Sequence, residues 1–323
     1  MESSQATLLT EQFTNWRWRL NNLYHIIDED GRKVLFKMNW AQVALFEKMH
    51  YMNTILKARQ LGFSTFIQIF MLDACLFNEN VACATTAHTL DAAQAIFSSK
   101  IKYPYEHLPD ALKSGIYATK STTLELELSN NSSIKVGTPH RSGTFQYLHI
   151  SEYGKICAKY PDKAREVRTG SLNTIQAGNV VFIESTAEGQ EGDFYDICEN
   201  AQAAERRGDH LTELDYKFFF FPWWKAPKYR IDSTHVTISS ELERYFSELE
   251  KHHGIILDND QKAWYAKKLE SQKEDMKREY PSTPKEAFEA SVEGAYYGKY
   301  MARAESAGRI GEHPVDFDYP VRS

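Results

Sequence analysis

Apolar and polar positions along the first third of the chain follow two periods that predict helices and strands in turn. Asn39–His50 has apolar residues at helical spacing, Thr54–Leu56 is a short apolar run, and Ser64–Phe77 returns to helical spacing. Val81–Thr86 and Leu90–Ile101 repeat the pair as a second strand and a second helix. Strands that alternate with helices are typical of an α/β protein with a largely parallel sheet.

Further along, the pattern adds a hairpin and more buried strands. Leu124–Leu128 alternates strictly between apolar and acidic residues, and an Asn130-Asn131 turn separates it from Ser133–Gly137. This arrangement predicts a hairpin inserted into the α/β core. Three apolar runs of strand length follow, at Gln146–Ser151, Asn179–Ser185 and Leu214–Phe221. A segment with helical spacing, Gly192–Arg207, lies between the last two.

The composition divides the chain into four segments. We expect residues 1–38 to be a polar, irregular lead-in and residues 39–224 to form the α/β core. Residues 225–290 are dense in Glu, Lys and Arg with apolar residues at helical spacing, which predicts a small, mainly helical subdomain. Residues 291–323 are expected to be a linker toward a further domain.

Charge and composition limit the classes of function. The net charge is −6, so a basic field over the whole protein is absent and any grip on DNA must come from local patches. The four cysteines form no Cys-x-x-Cys pair, which argues against structural zinc. The longest apolar stretch, Phe63–Phe77, is interrupted by Gln68 and Asp73 and is too short to span a bilayer, so we expect no membrane partner.

The segment from Lys57 to Thr65 is a candidate phosphate-binding loop between a predicted strand and a predicted helix. A phosphate cradle needs a backbone that wraps an anion, a helix N-terminus, a cation and a hydroxyl for Mg²⁺. The usual P-loop has lysine directly before Ser/Thr, but Phe63 occupies that position here. The alternative is an ordinary strand–helix loop with two surface cations.

Two other predicted strands end in residues suited to the same chemistry. The strand that contains His149 ends at Ser151-Glu152, where a P-loop enzyme holds Mg²⁺ and polarises the attacking water. Ser151 replaces the usual aspartate, and the alternative for Glu152 is a surface carboxylate. The next strand leads into Ile183–Gly189, whose hydroxyl residues could sense a γ-phosphate.

These segments occur in the order that a P-loop ATPase requires. Each lies at the carboxyl end of a predicted parallel strand, where open α/β sheets bind ligands. Ahead of them, the amides of Asn39 and Gln42 begin a predicted helix and could pair with a donor and an acceptor on adenine. Together they predict a nucleotide-hydrolysing α/β protein with a P-loop NTPase core.

As an ordered set, the segments resemble the ATPase portion of the large terminase subunit of tailed bacteriophages, the motor that pumps double-stranded DNA into a procapsid. Lys57–Thr65 resembles the variant Walker A of that family, in which the lysine starts the loop. Arg141–Thr144 followed by Leu148–Glu152 is similar to its Walker B region. Ser185–Gly189 resembles its coupling motif, and Tyr280–Phe288 resembles the stretch between motor and nuclease.

The resemblance implies a role for individual residues. Nucleotide binding would involve Asn39, Gln42, Lys57, Ala58, Arg59, Gln60, Leu61, Gly62, Phe63, Ser64 and Thr65. The Mg²⁺ contacts would come from Ser64, Thr65, Ser151 and Glu152. Glu152 would be the catalytic base, Arg59 would act near the γ-phosphate, and Arg141 would reach the active site of the next subunit. Hydrolysis would be coupled to movement through Ser185, Thr186 and Glu188.

The resemblance also implies ATP and Mg²⁺ as cofactors and the cytoplasm of an infected bacterial host as the location. The implied partners are double-stranded DNA, further copies of the chain in a ring on the portal, the portal protein and a small terminase subunit. The nuclease domain of the family is not expected within this chain, because residues 291–323 cannot supply it. The alternatives are a helicase-like DNA translocase, a nucleotide-binding switch with little turnover, and a DNA-binding module without enzymatic activity.

Two further features have competing interpretations. The basic run from Lys155 to Arg168 is either a solvated helix face or a surface that faces DNA or a neighbouring subunit. Trp223-Trp224 either packs inside the protein or stacks on nucleic acid. Packing is the commoner role for two tryptophans at the end of a strand.

Overall fold

Strands and helices alternate along the part of the chain that the structure, a computed structural model, describes: residues 11–138 and 143–293. The strands are β1 (His25–Ile27), β2 (Lys33–Leu35), β3 (Met52–Lys57), β4 (Ala82–Thr86), β5 (Ala118–Ser121), β6 (Glu125–Leu128), β7 (Ser133–Gly137), β8 (Tyr147–Ser151), β9 (Val180–Ser185) and β10 (Tyr216–Phe221). The helices are α1 (Trp16–Asn22), α2 (Trp40–Lys48), α3 (Phe63–Phe77), α4 (Leu90–Phe97), α5 (Tyr103–Glu106), α6 (Asp110–Gly115), α7 (Tyr153–Lys159), α8 (Pro161–Thr169), α9 (Asp193–Arg207), α10 (Ser240–His253), α11 (Asn259–Gln272), α12 (Met276–Glu279) and α13 (Pro284–Glu293).

The central sheet has eight strands in the order β10-β3-β9-β8-β4-β7-β6-β5. The strands from β10 to β7 run parallel, and β6 and β5 add an antiparallel extension at one edge. This mostly parallel α/β architecture confirms the predicted fold class. The order places β9 directly between β3 and β8, so the carboxyl ends of these three strands lie side by side.

Helices cover both faces of the sheet, which explains why its central strands β3, β4, β8 and β9 are almost entirely buried. Helix α3 packs against one face and brings Phe66 and Phe70 into the larger core cluster. Helices α7 and α9 cover the other face, where Phe194 and Cys198 join a second cluster. The sheet is therefore a rigid platform whose carboxyl edge carries the candidate site.

Most of the elements predicted for the core are confirmed, with small shifts at their ends. The predicted hairpin is formed by β6 and β7, and Asn131 lies in its turn with φ of 63°. The predicted helix over Leu90–Ile101 is only partly α-helical, because a π-helical segment, Ser98–Lys102, follows α4.

The prediction of an irregular lead-in is wrong for residues 16–35, which form α1 and the antiparallel pair of β1 and β2. Helix α1 is held by a buried ion pair in which Arg19 Nη2 lies 2.7 Å from Asp73 Oδ2. Tyr24 also donates its hydroxyl to Asp73, at 2.6 Å. The polar composition hid this order because the partner of Arg19 lies 54 positions away, in the middle of α3.

Helices α10 to α13 confirm the mainly helical character expected after residue 225, while the exact domain limits stay a prediction. Trp223 is fully buried and stacks on Trp264 with 5.2 Å between ring centroids. Its neighbour Trp224 donates its ring N–H to the carbonyl of Ser282, at 3.1 Å. The packing interpretation of the two tryptophans is therefore confirmed.

Among the described residues, no helix is both long and apolar enough to cross a lipid bilayer.

Candidate nucleotide and magnesium site

The candidate phosphate loop joins the end of β3 to the start of α3. Gln60 and Gly62 both have left-handed backbone conformations, with φ of 55° and 75°. A Cβ atom on Gly62 would lie 2.7 Å from Gln42 Nε2, so glycine is favoured here both by the left-handed backbone and by the nearby amide. Phe63, at the usual position of the P-loop lysine, is buried with its ring centroid 4.6 Å from that of Phe221. The cation of this loop must therefore come from elsewhere.

Backbone amides at the start of α3 are available to an anion. Earlier in the loop, the N–H groups of Ala58 and Arg59 are already used, because they donate to the carbonyls of Phe221 and Glu279. The N-terminus of α3 differs, since no side chain in the described part of the chain caps it. The first amides of a helix have no partner within the helix and carry its positive dipole end, which favours a phosphate at this point.

Lys57, the last residue of β3, supplies the cation at the centre of the site. Its Nζ lies 3.2 Å from Glu184 Oε2 and 3.4 Å from Glu152 Oε1, and its side chain is buried. Burial lowers the pKa of Lys57, but the two carboxylates outweigh burial and hold the pKa above its ordinary value. Lys57 is thus a charged, fixed donor at the carboxyl edge of the sheet.

Glu184, near the end of β9, is the acid that holds this site together. It is fully buried, and its Oε1 accepts hydrogen bonds from Ser64 Oγ at 2.6 Å and from Ser151 Oγ at 3.1 Å. Burial raises the pKa of Glu184, but Lys57 and the neighbouring hydrogen-bond donors hold it well below its usual range. The sequence analysis gave this residue no role, although an acid inside a buried strand is the signal that could have found it.

Glu152 follows β8 and directly precedes α7. Its backbone is left-handed, with φ of 56° and ψ of 46°, a conformation that is uncommon for a residue other than glycine. Such strain concentrates at functional sites. The side chain is 31% exposed, so it borders the site where solvent can enter. We call Lys57, Ser64, Ser151, Glu152 and Glu184 the inner cluster.

A network of buried polar side chains, Gln68, Thr85 and His149, lies next to the inner cluster. Gln68 Nε2 donates to Thr85 Oγ1 at 2.9 Å and to His149 Nδ1 at 2.7 Å. Because an amide nitrogen can only donate, this network assigns the proton of His149 to Nε2. That nitrogen lies 3.4 Å from Glu184 Oε1. The histidine on β8 therefore helps to orient the glutamate on β9.

Asn39 and Gln42 brace the phosphate loop from outside. They form a capping box at the start of α2, and each also donates to the loop backbone. Asn39 Nδ2 contacts the carbonyl of Leu61 at 3.0 Å, and Gln42 Nε2 contacts that of Gly62 at 2.8 Å. Next to them is a cavity of about 570 Å³ whose lining includes Trp40 and Thr65. Contact with adenine stays a prediction.

Arg59 extends away from the inner cluster. Its side chain is 56% exposed and forms an ion pair with Glu279 of α12. Its backbone carbonyl accepts a hydrogen bond from Tyr229. The structure thus ties this loop arginine to the helical segment after residue 225, and its contact with a γ-phosphate stays a prediction.

The candidate coupling residues follow the end of β9. Ser185 and Thr186 are buried, and Ser185 Oγ has no hydrogen-bond partner among the described residues. Glu188 pairs with Arg278 at 3.0 Å, and Arg278 also lies 3.0 Å from Glu279. We call Arg59, Glu279, Arg278 and Glu188 the outer network. It connects the phosphate loop to the coupling segment through α12.

A further cation near the site was not foreseen. Lys100, in the π-helical segment, is half-buried. Burial lowers its pKa, while the carboxylates of Glu184 and Glu152 oppose that shift. Of the residues expected at the site, Arg141 lies outside the described residues.

The oxygen atoms of the inner cluster fit Mg²⁺. Hydroxyl and carboxylate oxygens are the ligands this ion prefers, and it is usually held by one or two carboxylates together with substrate phosphates. No group of three or more His, Cys, Asp or Glu residues in the described part of the chain could hold a metal by itself. The cluster therefore suits a metal that arrives with a nucleotide.

Similarity to known proteins is found in structure and not in sequence. No family model and no curated protein sequence match the chain. The crystal structure of the bacteriophage HK97 large terminase is similar to it with a TM-score of 0.52 and 16% identity, over 83% of this chain and 54% of that protein. The large terminase ATPase domain of Thermus phage P74-26 matches with a TM-score of 0.45 and 14% identity, over 76% of this chain and 93% of that domain.

The resemblance to large terminases is thus confirmed at the level of the fold. Of the two similarities, only that to HK97 exceeds a TM-score of 0.5, and at 16% identity it shows a shared fold. The chain spans about half the length of the HK97 protein.

Proposed function

We propose that the chain is the Mg²⁺-dependent ATPase of a viral DNA-packaging motor, a large terminase subunit that couples ATP hydrolysis to translocation of double-stranded DNA into a procapsid. The observation that carries the proposal is the inner cluster. The ends of three neighbouring strands bring a buried lysine, one hydroxyl and two carboxylates to the N-terminus of α3, where no side chain of the described residues caps the helix and Ser64 adds a second hydroxyl. The shared fold with the HK97 large terminase supports the choice of motor.

In this proposal the loop binds the phosphates of ATP. Lys57 and the free amides at the start of α3 supply positive charge to them. The base enters the cavity beside Asn39 and Gln42, which keep the loop in shape through its carbonyls. Binding draws Lys57 toward phosphate and away from Glu152, which then has a free carboxylate.

The metal is held by oxygen atoms of the inner cluster. Ser64 or Thr65 and the end of β8, at Ser151 and Glu152, are the proposed ligands. Mg²⁺ held there would neutralise charge that develops on the phosphates during transfer.

Glu152 acts as the general base. It orients a water molecule at the open side of the cluster and accepts its proton as the water oxygen attacks the γ-phosphorus, while the bond from the γ-phosphorus to the bridging oxygen breaks and that oxygen leaves with ADP. Its exposure and its strained backbone suit a group that must meet both water and nucleotide. Arg59, released from Glu279, and Arg141 of a neighbouring copy add positive charge near the γ-phosphate.

Coupling runs through the segment after β9. The unpaired hydroxyl of Ser185 and its neighbour Thr186 sense the state of the γ-phosphate, and Glu188 passes the change to α12 through Arg278. Movement of the helical segment then changes the grip on DNA. The partners in this proposal are double-stranded DNA, other copies in a ring, a portal and a small terminase subunit, in the cytoplasm of an infected bacterium.

The test is steady-state ATP hydrolysis with Mg²⁺, with and without double-stranded DNA, beside Glu152→Gln. We expect turnover in the wild type, stimulation by DNA, and background turnover in the variant. ATP binding with background hydrolysis in both proteins, even at concentrations that allow rings to form, would indicate a nucleotide switch. Stimulation by single-stranded DNA alone would favour a helicase-like translocase.

A further inference from the structure

We propose that Glu184 supplies, from β9, the carboxylate of the magnesium site that β8 lacks because Ser151 occupies the usual aspartate position. This inference rests on the proposed ATPase function and concerns which residue positions the metal. Neither Ser151 nor Glu152 fills that place, since one is neutral and the other borders solvent at the open side of the cluster.

The sheet places Glu184 where the missing carboxylate is needed. Ser151 and Glu184 are direct partners in the parallel pair of β8 and β9, and Ile55 of the phosphate-loop strand is opposite Glu184 on the other side. A carboxylate on β9 therefore lies between the phosphate loop and the end of β8. Because Glu184 is the direct neighbour of Ser151 across the two strands, its carboxylate can reach the place that an aspartate at position 151 would occupy.

The hydrogen bonds of Glu184 prepare the loop hydroxyl for a metal. Ser64 donates its proton to Glu184 Oε1, at 2.6 Å. A hydroxyl has one proton and two lone pairs, so this bond leaves the oxygen of Ser64 free to face a cation. Ser151 donates to the same carboxylate oxygen at 3.1 Å. This bond connects Ser151, which stands at the usual aspartate position, to Glu184, which we propose supplies the carboxylate.

The second oxygen of Glu184 is buried with unused acceptor capacity. Oε2 has no hydrogen bond of good geometry from the described residues and faces Lys57 Nζ at 3.2 Å. Burying a carboxylate oxygen in this way is costly unless a cation compensates it. With ATP bound, Lys57 would also contact the phosphates, and a metal ion would supply the positive charge that Glu184 then needs.

His149 and Gln68 are positioning residues for this carboxylate. Nε2 of His149, which carries the ring proton, lies 3.4 Å from Glu184 Oε1, and Gln68 fixes the ring from its other side. Such outer contacts orient metal-binding groups. A glutamate that served only as the counter-ion of Lys57 would need none of its contacts with Ser64, Ser151 and His149.

The experiment compares Glu184→Gln with Glu152→Gln, because both variants remove one negative charge next to Lys57. We would measure Mn²⁺ binding by electron paramagnetic resonance in the presence of ADP, and the affinity of a fluorescent ADP analogue in Mg²⁺ and in EDTA. We expect Glu184→Gln to weaken metal binding about 10–100-fold, the usual effect of losing a supporting group at a metal site. Its ADP affinity in EDTA should stay close to that of the wild type. Glu152→Gln, which alters a proposed ligand at the exposed side of the site, should weaken metal binding less than Glu184→Gln does.

A second substitution tests the idea of a moved carboxylate directly. In the Glu184→Gln background, Ser151→Asp returns an acid to β8 and should restore most of the Mn²⁺ affinity. If Glu184→Gln fails to fold, the conservative Glu184→Asp, with its shorter reach, should still weaken Mn²⁺ binding, and Ser151→Asp should again restore it.

Three results would overturn the inference: unchanged Mn²⁺ affinity in the Glu184 variant, equal losses in the Glu184 and Glu152 variants, or equal weakening of ADP binding in Mg²⁺ and EDTA. The last result would make Glu184 a counter-ion of Lys57. A wild-type protein that binds no nucleotide in either condition would instead contradict the proposed function.

Discussion

Lys57 and Arg59 are two positions apart in one loop, yet they belong to different electrostatic environments. Lys57 is buried in the inner cluster, between Glu184 and Glu152. Arg59 is largely exposed in the outer network and pairs with Glu279 on α12. The inner cluster is built from the ends of three neighbouring strands and the first turn of α3, whereas the outer network joins the sheet to a helix far along the chain.

This difference in burial predicts different roles for the inner cluster and the outer network. Buried ion pairs interact strongly and depend on each partner, while exposed ones contribute little to stability. The inner cluster should therefore govern folding and nucleotide binding. The outer network should govern communication between the loop and the helical segment, and its exposed member Arg59 should contribute little to stability.

The largest effect should come from Lys57→Met. Removing the cation leaves Glu184 as an uncompensated buried charge, and breaking such a pair costs about 3–5 kcal/mol in the free energy of unfolding. Binding of ATP should also be lost, because the phosphates lose their main cation. Urea denaturation and ATP titration measure the two effects. Lys48→Met, at an exposed position, is the control and should change stability by less than about 0.5 kcal/mol. Equal effects in both variants would contradict the central place of Lys57.

A smaller effect is expected from Gly154→Ala in α7. A Cβ atom there would lie 2.8 Å from the carbonyl oxygen of Thr186 and 2.9 Å from Ser185 Oγ. The backbone oxygen cannot move without shifting the coupling segment, so we expect a loss of about 1–3 kcal/mol, as for other overpacked sites. Thermal denaturation and ATP turnover measure the outcome. Gly115→Ala is the control, since a Cβ atom there meets nothing within 4 Å. Wild-type stability in Gly154→Ala would show that β9 and α7 are less tightly packed than the structure indicates.

Lowering the pH should change the stability contributions of Glu184, in the inner cluster, and Glu188, in the outer network, in opposite directions. The pKa of Glu184 lies below the ordinary carboxyl value of 4.5, so its contribution to stability is present above pH 4.5 and is lost as the pH falls toward the folded pKa. Burial raises the pKa of Glu188, although Arg278 opposes the shift. Its folded form therefore binds more protons, and stability falls as the pH rises from 4.5 through the raised pKa.

Urea midpoints measured across the acid range would test this contrast. Glu184→Gln should reduce the loss of stability below pH 4.5, and Glu188→Gln should reduce the loss above it. Profiles that change in the same direction in the two variants would contradict the assignment of the two carboxylates.

The smallest effect on stability should come from Arg59→Gln. Because this side chain is 56% exposed, and its buried partner Glu279 keeps a second ion pair with Arg278, loss of the Arg59 pair should cost about 1 kcal/mol. Turnover at saturating ATP should fall nevertheless, since the outer network loses its contact with the loop. Glu279→Gln breaks the same pair from the other side and provides a matched comparison. Loss of ADP affinity as large as in Lys57→Met would show that Arg59 belongs with the inner cluster.

The elements with a clear period and the residues at their ends could be predicted from the sequence. Lys57, Ser64 and Glu152 were found because each follows or precedes an apolar element at the point where parallel strands end. Glu184 was missed because the sequence does not reveal that β9 lies between β3 and β8. That strand order is what turns an acid within an apolar run into part of the site.

Contacts between distant positions account for the remaining differences. Arg59 and Glu279 are 220 positions apart, and no local pattern joins them. Arg19 looked like part of an irregular polar segment because Asp73, its buried partner, belongs to another helix. Phe63 broke the usual P-loop pattern for a reason that only packing against Phe221 explains.

The most direct test of the account is calorimetric titration of Glu152→Gln with ATP, because this variant should bind without turning over. We predict one saturable site per chain in Mg²⁺, weaker binding in EDTA, and no binding when Lys57→Met is added. A folded Glu152→Gln protein that binds no ATP in the presence of Mg²⁺ would contradict the assignment of the inner cluster as a nucleotide site.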